Sequence, residues 1–189
     1  MIHIDKMLRQ YKADVISDIS ELRVDLIEDA ANIIFDAVKA GRCIYIAGNG
    51  GSMANAVHFS EDLCSLHDDF KIKVHALCET PMMTAISNDY NYDMVFSKQL
   101  QKCMHADDVF IGISCSGNSK NIVNAMRYGK NYGKTIAITG FDGGLIGPMA
   151  NVHINVNNES FEQCEDIHLA ICHMIALSLR NIAESNRGN

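Results

Sequence analysis

The segment Val109–Lys120, VFIGISCSGNSK, decides the fold. It opens with apolar, mostly β-branched residues (Val109, Phe110, Ile111, Ile113) and breaks into Ser114, Ser116, Gly117, Asn118 and Ser119. A helical pattern follows directly at Asn121. A buried strand, a small-residue loop and a helix N-terminus in that order predict a parallel α/β sheet with ligands at the carboxyl ends of its strands. The same segment is suited to an anion. Free backbone N–H groups and the positive end of a helix dipole point into the loop, and hydroxyls add donors without bulk. The inferred ligand is a phosphate monoester. The plainer alternative is an ordinary connection in which Ser119 only caps the helix. Three serines clustered around one glycine favour the anion.

The flanking sequence repeats this grammar. Residues 2–19 carry a helical apolar stripe at Ile4, Met7, Leu8, Tyr11, Val15, Ile16 and Ile19. A second stripe (Leu26, Ala30, Ile33, Ile34, Ala37, Val38) ends at Gly41. Two helices ahead of the first strand exceed what a minimal α/β sheet needs, so the first is expected to pack on another subunit. Cys43–Ala47 (CIYIA) is a short buried strand, followed by Gly48-Asn49-Gly50-Gly51-Ser52. Glycines there allow a tight turn and close backbone approach to a ligand, and Ser52 is placed to cap the next helix or touch a phosphate. A dinucleotide fingerprint is not met. Met53 stands where that motif needs a small residue, which argues against a nucleotide cofactor.

Strands are expected at residues 71–77, 134–139 and 152–156, and helices at 52–65, 82–86, around Met94–Leu100, at 121–132, near 144–150, and at 161–183. No repeat, linker or low-complexity stretch interrupts them. One three-layer α/β/α domain over residues 1–189 is expected, with residues 1–40 as a helical arm.

The 189 residues carry a formal net charge of −7, with 48% hydrophobic and 21% charged residues. No cluster of Lys and Arg stands out, so counterion release offers little and nucleic acid is not an expected ligand. A single small anion held by local N–H groups remains compatible with an acidic chain. No apolar run is long enough to span a bilayer, and MIHIDKMLRQ is amphipathic and unlike a signal peptide. Seven scattered cysteines without a CxxC pair suit a reducing cytoplasm and argue against a zinc–thiolate centre.

GNGGS at 48–52 and ISCSGNS at 113–119 together resemble the sugar isomerase (SIS) domain family. NAVHFSEDL at 55–63, ISNDYNYDMVFSKQL at 86–100, TGFDGG at 139–144 and EDIHLAICHMI at 165–175 resemble its phosphoheptose isomerase branch. The resemblance covers nearly the whole chain. It implies a flavodoxin-like parallel sheet and a homotetramer with active sites at subunit interfaces. It further implies a ketose phosphate substrate, sedoheptulose 7-phosphate, isomerised to the aldoheptose phosphate through an enediol. Carried over residue by residue, Ser114, Ser116, Ser119, Ser52 and Asn49 would hold the phosphate. Gly50, Gly51, Asn88, Asp89 and Glu165 would complete the substrate site. Asp62 and His173 would be the acid–base pair, and His58, Asp62, Glu165 and His173 a zinc site.

The chain departs from the branch in four places. Asp62 replaces a Glu and Glu165 a Gln, although both remain acceptable zinc ligands. Shortening a base by one methylene can misplace it by about 1 Å. Glu61 would serve only if the helix were rotated. Glu165 and Asp166 also read simply as charges at a helix N-terminus, and His58 as a packing residue. Glu165 and His173, eight positions apart, lie about 80° apart around a helix, on one broad face. Leu63–His67 lacks the basic residue that relatives carry after this helix, and Phe141 stands where Lys is common, which bears on which sugar is bound. The alternatives are an isomerase for another sugar phosphate and a non-catalytic phosphosugar-binding or regulatory SIS protein.

Overall fold

Alternating side-chain directions along strands buried on both faces divide the core into two halves. In β1 (Cys43–Ala47), Ile44 and Ile46 point to one face of the sheet, and Tyr45 and Ala47 to the other. In β3 (Val109–Ser114), Ile111 and Ile113 point to the first face and Phe110 to the second. A strand buried on both sides needs helices on both sides. These are supplied by α2 (Val24–Lys39), α3 (Gly51–Cys64) and α7 (Phe161–Arg187) on the first face. On the second face lie α4 (Thr80–Asp89), α5 (Val95–Cys103) and α6 (Lys120–Tyr132). The computed structural model describes residues 4–66 and 71–187, so His67 lies outside the described residues.

With β2 (Lys73–Ala76), β4 (Lys134–Thr139) and β5 (Val152–Asn155), the described residues form a five-stranded sheet in the order β2-β1-β3-β4-β5. All four pairings are parallel. This is the doubly wound flavodoxin-like arrangement, whose topological switch lies between β1 and β3. The loops that leave those two strands are GNGGS and SCSGNS. The fold therefore places both candidate anion loops side by side at one edge.

Local chemistry explains the boundaries. Gly41 takes φ 69° after α2, where its N–H donates to the Val38 carbonyl and the Arg42 N–H to the Ala37 carbonyl. This is the usual left-handed helix stop. α4 starts earlier than its apolar residues indicate, because Pro81 sits in the first turn, where a missing N–H carries no penalty. The helix expected near 144–150 shrinks to a 3₁₀ turn at Gly147–Met149. Gly143 and Gly144 stand at φ 84° and 52°, which a continuous right-handed helix does not allow.

α1 (Ile4–Ser20) buries none of its residues. It touches the body through Tyr11, which donates to Asp166, and Asp18, which accepts from Asn158 at 2.6 Å. Ile4, Met7, Leu8 and Ile16 are each more than half exposed.

Candidate active site

Each anion loop is held open by its neighbours. Asn49 and Asn121 form a reciprocal amide pair at 2.9 Å in both directions, and Tyr92 donates to the Asn49 carbonyl oxygen at 2.8 Å. This pair ties the β1–α3 loop to the first turn of α6. Gly117, at φ 62°, lies against Gly143, where a side chain would overlap backbone. Asn118 bridges the Ser116 carbonyl at 2.9 Å and the Leu145 N–H at 3.1 Å. Ser119 occupies the N-cap of α6 yet makes no capping bond; its hydroxyl only accepts from Ser114 at 3.4 Å. The plain capping role thus does not describe Ser119. The Ile122 N–H is taken by the Asn121 side-chain oxygen at 2.9 Å. The Ser119 hydroxyl and the N–H groups of Lys120 and Asn121, whose positions in the first turn give them no carbonyl within the helix, are available to a ligand.

Asn49, Ser52, Ser114, Cys115, Ser116 and Ser119 line a cavity of about 110 Å³, closed on one side by Phe161 and Glu165. The Glu165 carboxylate fills the space that a Cβ at Gly51 would take, at the N-terminus of α3. Burial, followed by the charge of Cys115, raises its pKa above the usual carboxylate range. Gly50, at φ 54°, makes the turn into α3. Asn88 and Asp89 are exposed at the end of α4, bonded to each other at 3.1 Å, and do not line this cavity.

A second cluster lies farther along the same two helices. α3 and α7 run side by side in one direction, with Gly51 against Glu165, the Asn55 side chain bonded to the Glu165 carbonyl at 2.8 Å, and His58 against His173. The Nε2 atoms of His58 and His173 are 3.4 Å apart, and Asp62 Oδ2 is 3.8 Å and 3.5 Å from them respectively. Asp62 Oδ2 is buried and has no hydrogen-bond partner. Glu61 is exposed, whereas Asp62 faces α7.

Three ligand atoms at 3.4–3.8 Å fit one small cation. A tetrahedral ion with bonds of about 2.0–2.2 Å separates its ligands by roughly 3.3–3.6 Å. An orphaned carboxylate oxygen between two imidazole nitrogens is the donor set such an ion satisfies. Of the four residues expected to hold a metal, the structure brings His58, Asp62 and His173 together. Glu165 lies about two turns before His173 on α7, with its carboxylate on Gly51, and is not part of that cluster. Asn121 and Tyr92, which brace Asn49, were not foreseen. The signal available in the sequence was slight: a lone amide in the first turn of α6, and a tyrosine inside the ISNDYNYD segment.

Fold and site together define a phosphosugar-type α/β domain, and comparison with known proteins agrees. The SIS domain pattern matches residues 9–140, and the chain belongs to that family. The phosphoheptose isomerase of Sulfurimonas denitrificans is 38% identical over 160 residues, 82% of either chain. The phosphoheptose isomerase of Haemophilus ducreyi is 34% identical over 89% of this chain and 90% of its own. The solved phosphoheptose isomerase GmhA of Neisseria gonorrhoeae superposes with a TM-score of 0.88 at 30% identity, over 94% of this chain and 99% of that one.

Proposed function

We propose that this chain is an aldose–ketose isomerase of sugar phosphates, acting on sedoheptulose 7-phosphate in the cytoplasm as a homotetramer. The observation that carries the proposal is the position of Asp62 and His173 relative to the serine cavity on the same pair of helices. Ser52 and His58 are six residues apart on α3, about 9 Å along its axis at 1.5 Å per residue. An extended seven-carbon chain with its phosphate in the serine cavity would reach from one to the other. Relatives named phosphoheptose isomerase, similar over most of their length, support the same substrate. Seven free cysteines are in keeping with a reducing compartment, and no described helix is long and apolar enough to cross a membrane.

In this mechanism the serine hydroxyls and the α6 N–H groups bind the phosphate and fix the carbon chain. Asp62 takes the proton from the carbon beside the carbonyl and returns it to the neighbouring carbon. His173 moves the hydroxyl proton between the two oxygens of the enediol. A positioned acid–base pair of this kind contributes about 10²–10⁴-fold. His58 and His173 through Nε2 and Asp62 through Oδ2 would hold zinc, which would supply Lewis-acid polarisation of the carbonyl and leave the other carboxylate oxygen and the other ring nitrogen for the proton transfers.

The test incubates the purified protein with sedoheptulose 7-phosphate, with and without zinc, and follows aldose formation. Turnover that falls at least about 10²-fold in Asp62→Asn is expected. A wild-type protein that binds the phosphosugar without converting it would instead indicate the non-catalytic, sensing role.

A further inference from the structure

Beneath the serine cavity lies a pair of thiols that isomerisation does not use. The regular pairing of β3 with β4 ends at Ser114–Thr139, and the Gly140 N–H donates to the Cys115 carbonyl at 2.8 Å. Alternate residues of a strand project from the same face. Cys115 follows Ile111 and Ile113 into the first half of the core, and position 140 follows Ile136 and Ile138 to that same side. The space a Cβ at 140 would take belongs to Cys164 of α7, whose Cβ is 3.3 Å from it. Glycine at 140 is what admits Cys164 beside Cys115.

Both thiols are buried, Cys115 at 4% exposure and Cys164 at 0%. The Cys164 thiol donates to the Asn158 carbonyl at 3.1 Å and interacts with the Cys115 side chain. One turn along α7, His168 is fully buried, and neither of its ring nitrogens has a hydrogen-bond partner. It faces Cys115. The two thiols are electrically unequal. The contact with Cys164, aided by His168, holds Cys115 well below the usual thiol range despite its burial, while Cys164 is pushed up. Cys115 also lines the serine cavity, 3.9 Å from the Ser52 hydroxyl, so a molecule small enough for that cavity reaches it.

We propose that Cys115 is an oxidation site for small hydroperoxides, reached through the serine cavity, and that Cys164 is its resolving thiol. The Cys115 thiolate attacks the peroxide oxygen and the O–O bond breaks. With hydrogen peroxide the products are a Cys115 sulfenic acid and hydroxide, which takes up a proton to become water; an organic hydroperoxide would release the alcohol instead. The Cys164 sulfur then attacks the Cys115 sulfur, the S–O bond breaks, water leaves, and the disulfide forms. Two thiols supply the two electrons that reduce one peroxide.

The full-length protein is treated with hydrogen peroxide below stoichiometry and mapped by non-reducing peptide mass spectrometry. The first product expected is a Cys115–Cys164 cross-linked peptide, two of the seven thiols lost, reversed by dithiothreitol. In Cys164→Ser, dimedone should trap a sulfenic acid at Cys115, and in Cys115→Ser, Cys164 should stay reduced at the same dose. Early oxidation of the exposed Cys64 with Cys115 intact, or cross-links elsewhere, would overturn the proposal. The readout is thiol chemistry in the wild-type protein and stands apart from whether the chain isomerises a sugar.

Discussion

At the scale of single residues, Glu165 is the position where charge and location conflict. Its carboxylate lines the same cavity as the serine hydroxyls, so an incoming phosphate meets a like charge. Burial, with the Cys115 charge second, raises its folded pKa, which means the folded state holds the proton more tightly than the unfolded chain does. The sign follows by linkage. That stabilisation is full below the unfolded pKa of Glu165 and is lost as pH rises through the folded one. Glu165→Gln mimics the neutral form and should match the wild type in acid while exceeding its urea midpoint at pH 8. Inorganic phosphate should bind the variant roughly fivefold more tightly at pH 8, by calorimetry, with the advantage narrowing as pH falls. Equal affinities at both pH values would mean that phosphate does not approach Glu165. Gly48 gives a separate test of backbone rather than charge. A Cβ there would overlap the Ser52 carbonyl, which no rotamer relieves. Gly48→Ala should therefore destabilise the fold by about 2–4 kcal/mol in equilibrium urea unfolding.

At the scale of elements, α1 is a helix whose apolar stripe is only partly covered within one chain, by the packing of Val15 on the first half of the core. Ile4, Met7, Leu8 and Ile16 remain exposed, while the Tyr11 hydroxyl, hydrogen-bonded to Asp166 and pushed up to about 12, anchors the helix to α7. If this stripe is the assembly surface of the proposed tetramer, Leu8→Asp with Ile16→Asp should leave the far-ultraviolet circular dichroism unchanged. The mass by light scattering should fall from that of a tetramer to that of a dimer or monomer. A double variant that still elutes as a tetramer would assign assembly to another face. The central strands were legible in the sequence because β1, β3 and β4 are short apolar runs that end at glycine or serine. β1 and β4 match their expected limits residue for residue. Less legible were elements ruled by backbone angles rather than side chains, such as the 3₁₀ turn at Gly147–Met149. Helical spacing placed Glu165 and His173 on one face. It could not say that α3 and α7 run in parallel, and that geometry leaves Glu165 at Gly51 while His173 meets His58. Tertiary partners also decided His168, whose ring is enclosed with no hydrogen-bond partner and faces Cys115.

At the scale of the whole molecule, the His58, Asp62 and His173 cluster joins the two halves of the chain, since 111 positions separate Asp62 from His173 (173 minus 62). The unfolded chain has no preformed site of this kind, so any ion that fits it stabilises only the folded state. Zinc at about 100 times its dissociation constant should then add roughly 2.7 kcal/mol to the unfolding free energy and raise the melting temperature by several degrees. Removing one partner leaves the others at the same two helices with too few donors. His173→Ala should therefore lose most of the zinc-dependent shift, and Asp62→Asn should lose the larger part of it, since a neutral amide is a far poorer zinc ligand than a carboxylate. Because imidazole and carboxylate bind the ion only when deprotonated, the shift should shrink as pH falls. Glu165→Ala is the internal control: its carboxylate sits at Gly51, so the zinc-dependent shift should survive that substitution. Differential scanning fluorimetry of the four proteins, with and without zinc after chelation, reads all of this at once. A shift abolished by Glu165→Ala would show that the side chain swings from Gly51 to join the other three when the ion binds.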